Sequence, residues 1–306
     1  MNKPPVPPSV SICMPTYNSG EFVLETLESI RAQTYCDWEL IVTDNGSIDD
    51  TETIVKRFVR TVNQSIIFKK NDHNLGLAGN RNAAIALARS EWVALLDSDD
   101  LWLPEHLETC MQVLSETGAE LIHSGSQLFE STSRAFISLR APSEEDISEL
   151  PLSLFGLYII QPSSVLISRE LWHRAGWFDS SFVYGCEDID MWLRCARAGA
   201  SIVYTRRETL LYRKHDKALS INSRRMAGDV ARAFDKHLSW TSIPLDFRLA
   251  RCAKAWSDSA RFQWRLNPKL AAVHFQRACS LQWKLTWFLH GMLCRCMAIM
   301  HFTVSN

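Results

Sequence analysis

The feature that most constrains the fold is an alternation of short apolar segments with amphipathic segments along the first third of the chain. Each apolar segment has the length of a buried strand, and each following segment spaces its apolar residues as a helix does. The predicted strands are residues 10–14, 38–43, 66–69 and 91–96, and the predicted helices are residues 22–30, 49–60, 78–89 and 104–117. Strands that are joined through helices by short loops run parallel, so the pattern predicts an α/β fold with a mostly parallel sheet flanked by helices.

Beyond this alternation the pattern is mixed. The later predicted elements are extended segments at 120–128 and 201–204, an irregular acidic insert at 130–150, a strand at 165–168 and a helix at 188–198. From about residue 222 the sequence predicts helices rich in Arg, Ala and Trp. We therefore expect a leader at 1–8, an α/β domain at 9–220 and a basic, Trp-rich helical region at 221–306.

Charge is distributed unevenly along the chain. The net charge is −1, but residues 206–306 carry 18 Lys and Arg against 6 Asp and Glu, whereas residues 1–205 carry 15 against 28. The basic part interleaves aromatic and cationic side chains, namely Arg261, Trp264, Arg265, Lys269, Arg277, Trp283, Lys284 and Trp287. This composition suits peripheral contact with an anionic membrane. It also suits ordinary helices whose long basic side chains lie over apolar surface.

The cysteines and the apolar runs bear on location. The nine cysteines are scattered and show no pair with zinc spacing, which favours a reducing, cytoplasmic location. The N-terminal residues lack the apolar segment of a signal peptide. The longest late apolar run, residues 285–294, has ten residues, about half of the ~20 that cross a bilayer. We expect no transmembrane helix, and a cytoplasmic protein that reaches the inner face of the membrane if its basic region binds there.

Polar residues follow three of the predicted strands, at the edge where a parallel sheet binds its ligands. They are PTYN at 15–18, DNGS at 44–47 and DSDD at 97–100. Asp97 and Asp99 directly follow a buried strand, and two carboxylates this close repel each other unless a cation lies between them. Oxygen ligands of this kind suit Mg²⁺ or Mn²⁺. A turn that caps the next helix would also explain the DSDD segment, and an Asx turn would explain the DNGS segment.

Two further segments carry charged side chains at predicted helix starts. Arg81 is suited to pair with phosphate oxygens or with the acidic turn, or else it is a solvated residue near a helix cap. Glu187 and Asp188 are either acids that satisfy the dipole of the next helix or include a general base that takes a proton from an alcohol. The local sequence leaves both alternatives open in each case.

In this order and at these separations, the segments resemble the family 2 glycosyltransferases of the GT-A fold. The resemblance rests on VSICMPTYN, WELIVTDNGSIDDT, NLGLAGNRNAAIALA and EWVALLDSDDLWLP, and later on QPSSVLISRELWHRAGWFD, GCEDIDMWLR and LYRKH. It covers roughly residues 9–220. It implies a GT-A-type nucleotide-binding sheet there, with the helical region at 221–306 as an extension.

The resemblance also implies roles for individual residues. The nucleotide would be bound by Pro15, Thr16, Tyr17, Asn18, Asp44, Asn45, Arg81, Asp97 and Ser98. Asp99 would be the main ligand of a Mn²⁺ or Mg²⁺ ion, with Asp97 and His215 as further ligands. Asp188, beside Glu187, would be the catalytic base, and the sugar or acceptor pocket would include Gln161, Ser163, Ser164 and Trp192. Asn45 stands where the family pattern has a second acid, which weakens the implied preference for UDP.

The implied reaction is the transfer of a sugar, with inversion, from a nucleotide-diphosphate donor to a hydroxyl group of a saccharide or lipid-linked acceptor. A UDP-sugar is the favoured donor, and cell-surface polysaccharide synthesis is the favoured process, with no nucleic acid as a partner. The alternative is a non-catalytic sugar-nucleotide or carbohydrate-binding module, although such a module has no use for a catalytic base. A sugar-nucleotide pyrophosphorylase would need a Gly-rich, Arg-containing loop where this sequence has PTYNSG.

Overall fold

The computed structural model describes residues 9–156, 160–218 and 223–304. The predicted leader at 1–8 and the predicted boundary between 220 and 221 lie outside the described residues. The chain divides into two compact units. The first unit comprises the chain up to Val183 together with Met191–Ala218, and the second comprises Tyr184–Asp190 together with the chain after Ala218.

The described part of the first unit contains two β-sheets. In chain order the strands are β1 (Val10–Thr16), β2 (Trp38–Asp44), β3 (Ile66–Lys70), β4 (Trp92–Leu95), β5 (Leu101–Trp102), β6 (Leu121–His123), β7 (Ser126–Glu130), β8 (Phe136–Arg140), β9 (Val165–Ser168), β10 (Ile202–Tyr204) and β11 (Leu210–Lys214). The larger sheet has the order β10-β6-β9-β4-β1-β2-β3, and the smaller has the order β5-β11-β7-β8. Among the described strands of the larger sheet, only β9 runs antiparallel to its neighbours. The predicted mostly parallel α/β fold is therefore confirmed.

The helices of the described chain up to residue 197 are α1 (Val23–Arg31), α2 (Thr51–Phe58), α3 (Gly76–Ile85), α4 (His106–Thr117), α5 (Glu144–Ser148), α6 (Arg169–Ala175) and α7 (Glu187–Arg197), whose first turn belongs to the second unit. Among these helices, α3, α4 and α6 pack on strands of the larger sheet. All residues of β1 and β2 are buried, as expected for central parallel strands that are covered on both faces. α1 buries a stripe spaced by three and four residues, formed by Val23, Thr26, Leu27 and Ile30.

The structure differs from the sequence prediction in the middle of the chain. Residues 130–150 are not irregular, because they include β8 and α5. The predicted extended segment at 120–128 divides into β6 and β7, which belong to different sheets. β8 is an edge strand that exposes Phe136, Ile137 and Leu139, so it lacks the apolar alternation that marks a half-buried strand.

The described part of the second unit is helical, which confirms the predicted helical extension. Its helices are α8 (Ser223–Lys236), α9 (Leu245–Gln263), α10 (Pro268–Leu281) and α11 (Leu285–Val304). Small side chains such as Ala253, Ala260 and Ala271 pack with Phe275 and Trp287 to form its core. In the part of the chain that the structure describes, no helix combines the length and the apolar character needed to cross a bilayer.

Candidate active site

The loops that follow β1 and β2 are hydrogen-bonded to each other. Thr16 Oγ1 donates to Asp44 Oδ1 at 3.2 Å, and the backbone N–H of Asn18 donates to Ser47 Oγ at 2.8 Å. In return, the backbone N–H of Ile48 donates to Asn18 Oδ1 at 3.0 Å. Asn18 has φ of 50°, a left-handed conformation that Asn tolerates better than most residues. The two strand ends therefore form one connected edge.

Asp44 and Asn45 make different contacts at the end of β2. Asp44 is fully buried and accepts hydrogen bonds from the backbone N–H of Ser47, at 3.1 Å, and from the Ser47 hydroxyl. Asn45 Oδ1 accepts from the backbone N–H of Leu75 at 2.9 Å, and Asn45 Nδ2 donates to Asn74 Oδ1 at 2.8 Å. Both ends of the Asn45 amide therefore bind the loop before α3, so its contacts are structural.

Two residues near the end of β1, Pro15 and Tyr17, differ in their exposure to solvent. Pro15 is buried within β1, whereas the Tyr17 side chain, two residues later, is 54% exposed. An exposed aromatic ring at the carboxyl end of a parallel strand is suited to stacking on a flat ligand.

Arg81 and Asp97 form an ion pair at the start of the acidic turn. Arg81 Nη2 lies 2.7 Å from both carboxylate oxygens of Asp97. The Arg81 side chain is only 3% exposed, and its guanidinium carbon lies 5.5 Å from the centre of the Phe178 ring. Arg81 lies on α3 and is buried. It therefore balances the negative charge of Asp97 while 26% of the Asp97 side chain stays accessible.

Ser98 connects the acidic turn to the loop after β1 and to α1. Its Oγ lies 2.6 Å from Ser19 Oγ, and its carbonyl accepts a hydrogen bond from Thr26 Oγ1 at 3.0 Å. Ser98 is buried, with 7% exposed. These bonds fix the turn so that the residues on either side of Ser98 hold their positions.

Asp99 lies next to His215, which directly follows β11. Asp99 Oδ2 and His215 Nε2 are 3.0 Å apart, and the imidazole packs against the Phe22 ring with centroids 4.4 Å apart. One third of the Asp99 side chain is exposed (33%), against 7% for His215. His215 Nδ1 is buried and has no hydrogen-bond partner among the described residues.

Two residues of this cluster, Asp100 and Arg213, were not predicted from the sequence. Asp100 is buried and accepts from Ser163 Oγ at 2.6 Å and from the backbone N–H of Arg213 at 3.0 Å. Burial, and then the charges of the neighbouring carboxylates Asp99 and Asp97, raise the pKa of Asp100 well above its usual value. Arg213 Nε also donates to the Asp99 carbonyl at 2.7 Å. The LYRKH segment contains Arg213, but its strand was not predicted.

The four residues predicted for the sugar or acceptor pocket are all buried. Ser163 Oγ also accepts from the backbone N–H of Asp97 at 3.1 Å, Ser164 Oγ donates to the Gln161 carbonyl at 2.7 Å, and Trp192 Nε1 donates to the Ile160 carbonyl at 3.0 Å. Their observed contacts therefore support the acidic turn and the chain behind it. Gln161 Oε1 accepts from the Ser126 hydroxyl, while Gln161 Nε2 has no partner within the described chain.

Glu187 and Asp188 begin α7 and belong to the second unit. Glu187 is buried and Asp188 is half-buried, with its Oδ1 accepting from the backbone N–H of Ile189 at 2.8 Å. The preceding Gly185 and Cys186 have φ of 106° and 71°. Left-handed φ at a non-glycine residue is uncommon, and such strain is often found at functional sites.

α8 contacts this segment at several points. Asp229 Oδ2 accepts from the backbone N–H of Tyr184 at 3.1 Å, and the Met226 carbonyl lies 3.7 Å from Cys186 Sγ. At the end of α8, Lys236 Nζ lies 2.8 Å from Asp190 Oδ1. The helix thus contacts the segment before and after Glu187 and Asp188.

The structure brings together the predicted nucleotide and metal residues that lie in the first unit. Those residues are Pro15, Thr16, Tyr17, Asn18, Asp44, Asn45, Arg81, Asp97, Ser98, Asp99 and His215. The approach of Asp188 to this cluster, from the second unit, stays a prediction.

The observed side chains match only part of the predicted site for a divalent cation. Within residues 9–156, 160–218 and 223–304, no group of three or more His, Cys, Asp or Glu side chains is arranged to hold a metal ion. Asp99 and His215 form a pair, and Asp97 is bound to Arg81 instead. Mg²⁺ and related ions are usually bound by one or two carboxylates together with substrate phosphates. One carboxylate and one imidazole, without another hydrogen-bond partner for the imidazole in the described chain, fit such a site.

The chain is similar to known proteins in its sequence. The sequence profile described as "Glycosyl transferase family 2" matches residues 11–151. An uncharacterized glycosyltransferase of Rickettsia typhi is 30% identical over 214 residues, which are 68% of this chain and 65% of the relative. The Escherichia coli UDP-Glc:alpha-D-GlcNAc-diphosphoundecaprenol beta-1,3-glucosyltransferase WfaP is 29% identical over 214 residues, which are 70% of this chain and 80% of the relative.

A solved structure shows the same fold. The mannosyltransferase PcManGT from Pyrobaculum calidifontis, in complex with GDP-Man and Mn²⁺, has a TM-score of 0.60 to this chain at 18% identity. The match covers 95% of this chain and 85% of that one. The parallel sheet with an acidic turn at its carboxyl edge is thus a GT-A fold. The chain belongs to family 2 of the glycosyltransferases. It spans about two thirds (65%) of the length of the Rickettsia relative.

Proposed function

We propose that this chain is an inverting glycosyltransferase. It moves a sugar from a nucleotide-diphosphate donor, with a UDP-sugar favoured, to a hydroxyl group of a saccharide or lipid-linked acceptor in cell-surface polysaccharide synthesis. The observation that carries the proposal is the acidic turn at the carboxyl end of β4. Its two accessible carboxylates have separate partners, Arg81 for Asp97 and His215 for Asp99.

The named relatives support the choice of substrates. The name of WfaP specifies a UDP-glucose donor and a diphosphoundecaprenol-linked acceptor. PcManGT was solved with a nucleotide-sugar and Mn²⁺. All nine cysteines lie within the described residues and are free thiols, which supports the proposed cytoplasmic side of the membrane as the place of action.

We assign a metal site to the Asp99–His215 pair. Mn²⁺ or Mg²⁺ would be held by Asp99 and His215, with the phosphates of the donor as the remaining ligands. When bound, such an ion neutralises charge on the leaving diphosphate. Arg81 and Arg213 keep the acidic turn in place around it, and Asp97 is assigned to the ribose or to the metal. Tyr17, with its exposed ring, is assigned to the base of the donor nucleotide, together with Asp44 at the end of β2.

Side chains of the protein then bind or deprotonate the two reacting molecules. Asp188 accepts the proton of the acceptor hydroxyl while the hydroxyl oxygen forms its bond to the anomeric carbon. On the opposite face of the sugar, the bond from the anomeric carbon to the diphosphate oxygen breaks, so the configuration inverts. Gln161, whose buried Nε2 has no partner in the described chain, is assigned to a hydroxyl group of the sugar.

A donor panel tests the proposal. UDP-, GDP- and dTDP-sugars are incubated with the full chain and Mn²⁺, with and without a polyprenyl-diphosphate-linked saccharide, and the released nucleotide is measured. We expect release of UDP that requires both the acceptor and the metal, with loss in EDTA. Binding of a nucleotide-sugar with no release under any of these conditions would contradict the enzyme proposal and support the binding-module alternative.

A further inference from the structure

Helix α11 is apolar on two sides. One side packs into the core of the second unit through Trp287 and Cys294, with Gly291 close to Phe275 on α10. The other side is a stripe at helical spacing in which every side chain is about half exposed (46–54%). The members of this α11 stripe are Leu285, Phe288, Leu289, Met292 and Leu293. A helix on the surface of a soluble unit normally turns polar residues outward, so a continuous exposed stripe indicates a binding surface.

The charges around the stripe indicate what binds there. No Asp or Glu follows Asp258, whereas six Lys and Arg do. Arg295 is exposed on α11 beside the stripe, and Lys284 is exposed just before it. Trp283, next to Lys284, is 64% exposed. Apolar side chains edged by cations and an exposed tryptophan suit the headgroup region of an anionic bilayer.

The same charges disfavour a second copy of the chain. Two copies that met through the α11 stripe would bring Lys284 and Arg295 of both copies into one interface without any acidic residue from 259–306 to pair with them. Like charges across an interface suppress association.

We propose that the α11 stripe lies in the surface of an anionic membrane, with its flanking basic side chains on lipid phosphates. The residues that enter the lipid differ from those that the sequence suggested. Trp287 is buried in the core of the unit and Trp264 packs against that core, so the leucines, Phe288 and Met292 form the contact instead. This inference goes beyond the transfer reaction and stands whether or not the chain transfers a sugar.

Vesicle co-sedimentation of the full chain tests the inference. The vesicles contain either phosphatidylcholine alone or phosphatidylcholine with phosphatidylglycerol. We expect binding to the second kind only, weakened by NaCl because salt screens the charges. The double variant Leu289→Gln/Leu293→Gln should bind about tenfold more weakly, because two apolar side chains no longer enter the lipid. The control Leu24→Gln/Leu139→Gln alters two leucines of similar exposure (50% and 57%) in the first unit and should bind like the unmodified chain.

Two results would overturn the inference. One is equal binding by the Leu289→Gln/Leu293→Gln variant and the unmodified chain. The other is self-association without vesicles that this variant abolishes, measured by sedimentation velocity, because the stripe would then join two copies. Nucleotide release with a water-soluble acceptor separates the two proposals. A chain that binds vesicles through the stripe but releases no nucleotide contradicts only the proposed function.

Discussion

The three carboxylates of the acidic turn lie close together but have different partners. Asp97 is bound by Arg81, Asp99 lies beside His215, and Asp100 is buried against Ser163. Burial, and then repulsion from the carboxylates of Asp99 and Asp97, raises the pKa of Asp100 well above its usual value. A cation at Asp99 would relieve this repulsion.

The first prediction concerns Asp99 and Asp188. Asp99→Ala removes the main proposed metal ligand and should lower kcat about 10²–10³-fold, as loss of one strong electrostatic contact to the transition state does. Asp188→Ala removes the proposed base and should lower kcat about 10²–10⁴-fold. Nucleotide release is the measurement, and circular dichroism checks that both variants fold. Asp246→Ala, an exposed carboxylate at the start of α9, is the control.

The two variants should also differ from each other. Mn²⁺ binding, measured by calorimetry with UDP present, should be lost in Asp99→Ala and retained in Asp188→Ala. Near-normal turnover in either variant removes that residue from the mechanism.

The polar residues of the site were predicted by type and spacing, but their directions were not. Asn45 directly follows β2, and Ser163 and Ser164 directly precede β9, yet the observed hydrogen bonds of all three are with the protein. A sequence does not reveal whether a polar side chain faces a ligand or the next loop, because both arrangements satisfy it. Arg213 was missed because its function depends on β11, which pairs with strands far away in the chain.

At the scale of elements, burial decided which strands could be predicted. β1 and β2 read as continuous apolar runs because both faces are covered. The smaller sheet was missed because β5 has only two residues and the residues of β7, β8 and β11 mix charged and apolar side chains on partly exposed faces. β11 also pairs with β5 and β7 across long separations in the chain, which no local pattern encodes.

α8 is the element whose role the sequence did not suggest. It contacts the segment on both sides of Glu187 and Asp188 through Asp229, Met226 and Lys236. Asp190, the partner of Lys236, is fully buried. His237 Nε2 also lies 3.4 Å from Asp190 Oδ1. Loss of a charged partner of a buried carboxylate is costly, so the end of α8 should determine the position of the proposed base.

The second prediction tests this positioning role. Lys236→Met should lower kcat about tenfold, because a small displacement of a base weakens proton transfer, while KM for the donor stays unchanged. The matched control is Lys254→Met, which breaks an exposed pair with Asp258 in the same unit. Lys236→Arg should restore most of the activity. A fall in stability with unchanged kcat would assign Lys236 a structural role only.

At the scale of the whole molecule, the first unit depends on buried histidines that are neutral when folded. Burial lowers the pKa of His106 to about 3 and that of His123 to about 4, from an ordinary value of 6.5. His106 Nδ1 lies 2.7 Å from Thr209 Oγ1, and the His123 ring stacks on Tyr204 with centroids 5.4 Å apart. His106 therefore joins α4 to the segment before β11, and His123 joins the neighbouring strands β6 and β10.

The third prediction follows from these pKa values. Below pH 6.5 the unfolded chain takes up protons at both histidines. In the folded chain, His123 takes up a proton only near pH 4 and His106 only near pH 3. Stability is therefore complete above pH 6.5 and is lost as the pH falls. Between pH 6.5 and 5 each histidine should remove about 2 kcal/mol from the free energy of unfolding. Asp100 acts in the opposite direction, because its raised pKa favours the folded chain at low pH. Urea unfolding at pH 7 and pH 5 measures the sum.

A variant isolates the contribution of one histidine. His106→Asn should be less stable than the unmodified chain at pH 7, because it loses the packing of the imidazole against Trp102. It should nevertheless lose less stability on going from pH 7 to pH 5, by about 2 kcal/mol, since one fewer group takes up a proton on unfolding. The test compares how much the free energy of unfolding changes between pH 7 and pH 5 in each protein. It does not depend on their absolute stabilities. An unchanged difference in the variant would mean that His106 is protonated in the folded chain as readily as in the unfolded one.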